Sequence, residues 1–221
     1  MGQDDWYRNT TWDRETSELF ETKLKRSRGA YHKAQYLRIQ ASYLLGSTDK
    51  KLQTVGLELM ERLIKDFPSE DFSTIFGKEQ LGDYFFTNGD YERAKNYYRQ
   101  VADHYKISNR GGTSGVADIK LVETILESDQ RDKFDAAYKL LTVDFEKTGG
   151  SLSLNDERFF YARVIADLCD KLGKTDEARQ YADKALEIAK ITDPQFNRHK
   201  TVGLVRTGKE TLDKLTKIKS G

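Results

Sequence analysis

A chain of 221 residues with only two prolines, Pro68 and Pro194, whose apolar residues recur every three or four positions, is constrained to helices. Spacing near 3.6 puts apolar side chains on one face of a helix, whereas a half-buried strand alternates with a period of two. The pattern predicts about ten helices, over 12–27, 31–45, 50–66, 73–87, 91–105, 115–127, 131–146, 155–172, 176–190 and 204–217. Connectors as short as Asn88-Gly89-Asp90 and Gly173-Lys174-Thr175 leave room only for tight turns, with the glycine as a left-handed cap. Neighbouring helices must therefore run antiparallel, and the fold class is all-α.

A repeat organises these helices. Leu81 and Gly82 are followed by Phe85, Gly89, Tyr91, Ala94 and Tyr98, and a second copy places Ile165, Ala166, Gly173, Ala178 and Ala185 in corresponding positions. Phe134, Ala137 and Leu141 form a weaker copy, as do Gly56, Met60 and Leu63 with Pro68 closing the segment. The small residue of each second helix, at Gly56, Ala94, Ala137 and Ala178, recurs at intervals of 38 to 43 residues. This pattern is similar to the tetratricopeptide repeat, with a period longer than the roughly 34 residues of regular arrays. The resemblance implies a right-handed superhelix of antiparallel helix pairs, a solenoid whose concave face is lined by the first helix of each pair. On that reading 1–221 is one domain, with an N-terminal cap over 1–30, divergent repeats over 31–190 and a C-terminal capping segment over 191–221. The segments DDWYRNTTW (4–12), QYLRIQA (35–41) and FNRHKTVGLV (196–205) also resemble a family of uncharacterised bacterial cytosolic proteins with such repeats. That likeness spans nearly the whole chain and implies no activity for named residues. Lys200-Thr201 stands where a proline is expected from it.

Charge narrows the partners. Lys and Arg number 37 against 36 Asp and Glu, a net charge of +1, so no global field draws the chain to nucleic acid or an anionic membrane. A single cysteine, Cys169, excludes an internal disulfide and a cysteine-based zinc site. The opening MGQDDWYRNTTW has no basic-then-apolar leader, and no run approaches the roughly 18 apolar residues of a membrane span. These features make a cytoplasmic protein the expectation.

Four groups are candidate partner-binding residues. Trp6, Tyr7, Arg8 and Trp12, near Asp4 and Asp5, are residue types that dominate binding hot spots and also those a terminal cap would use. Thr10 and Asp13 form a capping-box pattern that predicts a helix start beside Thr10 or Thr11. The expected groove face carries Glu79, Asp83 and Phe86 in one repeat and Arg163, Asp167 and Asp170 in another, a mix of signs suited to a peptide or protein segment. Arg198 and His199, with Lys200, Arg206 and Lys209, make a basic stretch, as do Lys23, Lys25, Arg26, Arg28, Lys33 and Arg38. Such local patches are the alternative route, to nucleic acid.

No catalytic motif is present. His32, His104 and His199 lie in separate segments without HExxH, and GxxxxGK[ST] and GxGxxG are both missing. The run Arg110 to Gly115 reads as a flexible connector with Ser114 capping the helix after it. The expected function is a non-enzymatic protein-binding module needing no metal or cofactor, an adaptor, chaperone-like binder or immunity-like inhibitor, with homodimerisation through an imperfectly capped end as a further expectation.

Overall fold

The computed structural model describes residues 5–221, with the side chain of Asp5 left out; Asp4 lies outside the described residues. Ten helices form among them: α1 (Arg14–Arg26), α2 (Ala30–Leu45), α3 (Lys50–Asp66), α4 (Asp71–Thr87), α5 (Tyr91–His104), α6 (Ala117–Glu127), α7 (131–147), α8 (Asn155–Lys171), α9 (Thr175–Ala189) and α10 (Lys209–Ser220). The chain is an all-α helical-repeat protein. Contacts gather into two compact units, one holding α1 to α5 with Gly111–Thr113, the other Tyr105–Arg110 with α6 to α10.

In the first unit α2 pairs with α3 and α4 with α5, and both α2 and α3 also pack on α4. Small residues set these distances. A Cβ on Gly56 would lie 2.9 Å from the backbone nitrogen of Leu45, and one on Gly82 would lie 2.6 Å from the ring of Tyr98. Both glycines thus act in close packing, as the repeat spacing implies. Around them Leu37, Leu44, Met60, Leu63 and Leu81 are fully buried; cutting one of these back to Ala would cost about 2–5 kcal/mol.

In the second unit α8 and α9 pack as a hairpin, and Ala162 and Ala166 of α8 and Ala178, Ala182 and Ala185 of α9 are buried. Helix α10 lies against both, burying Leu215 and Ile218. Helix α7 is interrupted: a 3-10 turn (Arg131–Lys133) leads into Phe134–Lys139, and a π turn (Leu140–Asp144) follows before Phe145–Lys147. A π turn misaligns carbonyls from their usual donors, and the Tyr161 hydroxyl donates to the carbonyl of Leu141 at 3.2 Å.

Helix ends differ from expectation in three places. Helix α1 starts at Arg14 because Asp13, not Thr10, caps it, its carboxylate accepting from the Thr16 N–H at 2.8 Å. The last helix starts at Lys209 rather than near Leu204, because Gly203 takes a left-handed φ of +77° and the chain reaches Gly208 before coiling. Ser114 accepts from the Val116 N–H at 3.3 Å, and α6 then begins at Ala117.

Candidate partner-binding surfaces

The N-terminal segment is folded onto its own helices. Trp6 packs on Tyr36 (centroids 4.8 Å apart) and Phe20 (5.5 Å), Tyr7 on Tyr36 (4.5 Å), and Trp12 on Phe20 (5.3 Å). Gln40, fully buried on α2, pins the strand of chain between them: Asn9 donates to its Oε1 through N and Nδ2 at 2.9 and 3.0 Å, and its Nε2 donates to the Asn9 carbonyl at 2.8 Å. Trp6, Tyr7 and Trp12 are left half-buried, while Arg8 is exposed beside the Tyr7 ring.

Helix α4 carries a different open face from the expected one. It is packed by α2, α3 and α5, so Glu79 is buried to 1% exposure and offers no carboxylate to a groove. Asp83 accepts from the Tyr98 hydroxyl at 2.7 Å, and Phe86 rests on Tyr91. The accessible side of α4 runs instead through Phe72, Phe76 and Gln80, facing Arg38 and Ser42 of α2. The Arg38 guanidinium lies 4.4 Å from the Phe76 ring centroid. One turn further along both helices, Ser42 and Gln80 wall a cleft of about 450 Å³ that continues past Asp83 and Tyr84 to Asn88. Equal steps along α2 and α4 mean that the two helices run parallel, as first helices of successive pairs must.

On α8 the expected residues are engaged within the unit. Arg163 pairs with Glu123 of α6, whose carboxyl burial pushes above its ordinary range, and rests against the Phe160 ring. Asp167 accepts from Lys214 Nζ of α10 at 2.6 Å, leaving Asp170 exposed. The apolar stripe of α10 draws it across this end of the hairpin, so part of the expected groove face is occupied by the chain itself. A polar cleft of about 380 Å³ remains between Glu127, Arg163, Asp167, Glu210 and Lys214. The residues at 190–208 form a loop held by Gln195, whose Oε1 accepts from the Asn155 N–H at 3.0 Å and whose Nε2 donates to the Ser153 carbonyl at 2.7 Å. Arg198 and His199 are exposed at its tip.

Sequence reasoning missed a heavily bonded buried charge. Arg110, read as part of a flexible connector, is 10% exposed and clamps Asp118 at 2.8 and 3.2 Å, while donating to the carbonyl of Gly115 at 2.6 Å and the Thr148 hydroxyl at 2.7 Å. The rings of Tyr105 and Phe145 flank it. No spacing rule announces this pair, because it depends on the path of a glycine-rich loop. Among the described residues no three His, Cys, Asp or Glu side chains converge to hold a metal ion, and no helix is long and apolar enough to cross a membrane.

Comparison with known proteins agrees with the hairpins. Residues 79–103, spanning most of α4 and α5, and 164–192, spanning the second half of α8 and all of α9, match the tetratricopeptide repeat family model. No curated protein and no solved structure matches the chain. The helical pairs and these two matches make it a tetratricopeptide-repeat-like protein, a class of protein-interaction modules.

Proposed function

We propose that this protein is a non-enzymatic binding module that holds a protein partner on the exposed faces of its helix pairs and acts by occupying that partner. The observation that carries the reading is that both family-matched segments fold as antiparallel pairs, with their interfaces made of small residues and interior side chains. Chemistry is not what such a surface offers. Its polar groups are engaged in packing ion pairs such as Arg163–Glu123 and Asp167–Lys214 rather than gathered into an acid, base and nucleophile. On this reading the module acts as an adaptor or as an immunity-like inhibitor that masks a partner's working surface. The same reading takes it as cytoplasmic and open to homodimerisation.

The test is affinity capture of the tagged full chain from lysate of its own organism, with and without nuclease, followed by reconstitution with the purified partner. A single protein recovered at fixed stoichiometry after nuclease, and bound again when pure, is the expected result. Loss of all captured material on nuclease treatment would overturn the reading in favour of the exposed basic residues of α1 and the 190–208 loop, and binding would then fall steeply with salt.

A further inference from the structure

From Thr22 to Thr48 the chain carries six basic residues and no acidic one, in a protein where Asp and Glu nearly equal Lys and Arg. The fold of the first unit brings part of that run to a cavity. Glu21, Leu24 and Lys25 of α1, Lys33 of α2, Arg62 of α3 and Phe67 just beyond α3 line a space of about 410 Å³.

The charges of this lining do not cancel. Glu21 is its one carboxylate, and Arg62 takes it up, donating to both of its oxygens at 2.5 and 3.2 Å. Arg62 also reaches Asp66 at 3.5 Å, so its guanidinium is committed within the fold. Lys25 and Lys33 remain, and among the described residues neither ammonium group has a hydrogen-bond or ion-pair partner. Lys25, in the last turn of α1, has a structural use there, because a cation complements the carbonyl end of a helix. Lys33 has no such use. It is the fourth residue of α2, whose first turn holds no acidic residue, and it stands half-buried near the helix end that disfavours cations. A charge kept at such a position, in a cavity, calls for an anion that is not part of the chain.

Two uncancelled ammonium groups match a dianion. A phosphate monoester carries a charge of about −1.5 to −2 at pH 7 and three strong acceptor oxygens. Lysine meets phosphate as a point charge, whereas a carboxylate is better matched by the fork of an arginine, and the one arginine of the lining is already taken. Phe67, half-buried beside the buried Leu24, makes the remaining wall apolar. The volume is that of a compact small-molecule site. We infer that this cavity binds a small phosphorylated molecule, its phosphoryl group between Lys25 and Lys33 and its carbon part against Phe67. The inference goes beyond the protein-binding reading and does not depend on it.

Isothermal titration calorimetry on the full chain tests it at about pH 8, where the monoester is a dianion. Phenyl phosphate is expected to bind roughly 10-fold tighter than phenyl sulfate, which has the same shape and one charge fewer, and tighter than inorganic phosphate, which lacks the ring. Lys25→Gln and Lys33→Gln each weaken phenyl phosphate roughly 10-fold and bring it toward the sulfate, with thermal melting nearly unchanged because neither lysine holds a partner in the fold. Lys23→Gln, outside the lining, leaves binding as it was. Equal binding of phosphate and sulfate esters overturns the inference, as does no binding of phenyl phosphate at millimolar concentration. An equal loss in Lys23→Gln also overturns it, because that marks a diffuse surface field rather than a site. So does displacement of phenyl phosphate by a 12-nucleotide single-stranded RNA, or a phosphoserine peptide that binds far tighter than free phosphoserine, since the cavity then serves a macromolecule. Each of these failures leaves the binding module standing, which lysate capture tests separately.

Discussion

Replacing Arg110 with Ala breaks a buried ion pair, and its cost can be worked from the geometry. The Arg110 side chain is 10% exposed and that of Asp118 is 2% exposed, so solvent screens the pair little. Removing one partner of such a pair strands the other, a loss of about 3–5 kcal/mol. The loop carbonyl of Gly115 and the Thr148 hydroxyl lose their donor as well. The loss should also depend on pH. Burial already pushes the Asp118 carboxyl above its ordinary range, against the opposing pull of Arg110. Without Arg110 that opposition is gone and the folded pKa rises further. A carboxyl whose folded pKa exceeds its unfolded value of about 3.9 favours folding below that value, and the contribution is lost as pH climbs through the folded pKa. Arg110→Ala should therefore be hurt more at pH 8 than at pH 5, and adding Asp118→Asn should recover part of the deficit. Guanidinium unfolding followed by circular dichroism at 222 nm reads this directly. Trp6 and Trp12 both lie in the first unit, so their fluorescence is a poor monitor of a change in the second. A loss under about 1 kcal/mol, equal at the two pH values, would refute the reasoning.

Other expectations follow from single contacts. Gly82→Ala gains about 1 kcal/mol of helix propensity, yet its methyl must displace the buried Tyr98 ring at 2.6 Å, so chemical denaturation should show a net loss of about 1–3 kcal/mol; a more stable variant would contradict the close approach. Gln195→Ala removes both anchors of the 190–208 loop, and trypsin should then cut after Arg198 or Lys200 several-fold faster, whereas an unchanged rate would mean that the loop is held elsewhere. Tyr138 donates to Glu177 at 2.5 Å, and that bond, with burial, pushes its phenol up to about 12. Being raised, it favours folding below pH 10 and loses that contribution as pH rises through 12. Absorbance at 295 nm should show this late ionisation move earlier in Glu177→Gln; no movement would remove Glu177 as its cause.

Much of the fold was legible because helical periodicity and small residues carry it. Gly56, Gly82 and Ala178 occupy the close contacts that the repeat spacing implies. The surfaces were less legible, for a physical reason. A helix packed by three neighbours shows apolar residues all round, so the pattern of α4 does not say which side is open, and Glu79 falls inside while Gln80 faces a cleft. Likewise the charges on α8 read as a free face until α10, distant in sequence, supplies Lys214 to Asp167. Trp6 and Trp12 were recognisable as special, and the rings of Phe20 and Tyr36 beneath them account for much of their composition.

The most direct measurement is hydrogen exchange, read by mass spectrometry, on the full chain with and without the purified captured partner at saturation. A binding module predicts slowed exchange in peptides from the helix pairs, α2 to α5 or α8 and α9. Protection confined to the 190–208 loop, or a partner bound with no protection on any of these helices, would contradict it.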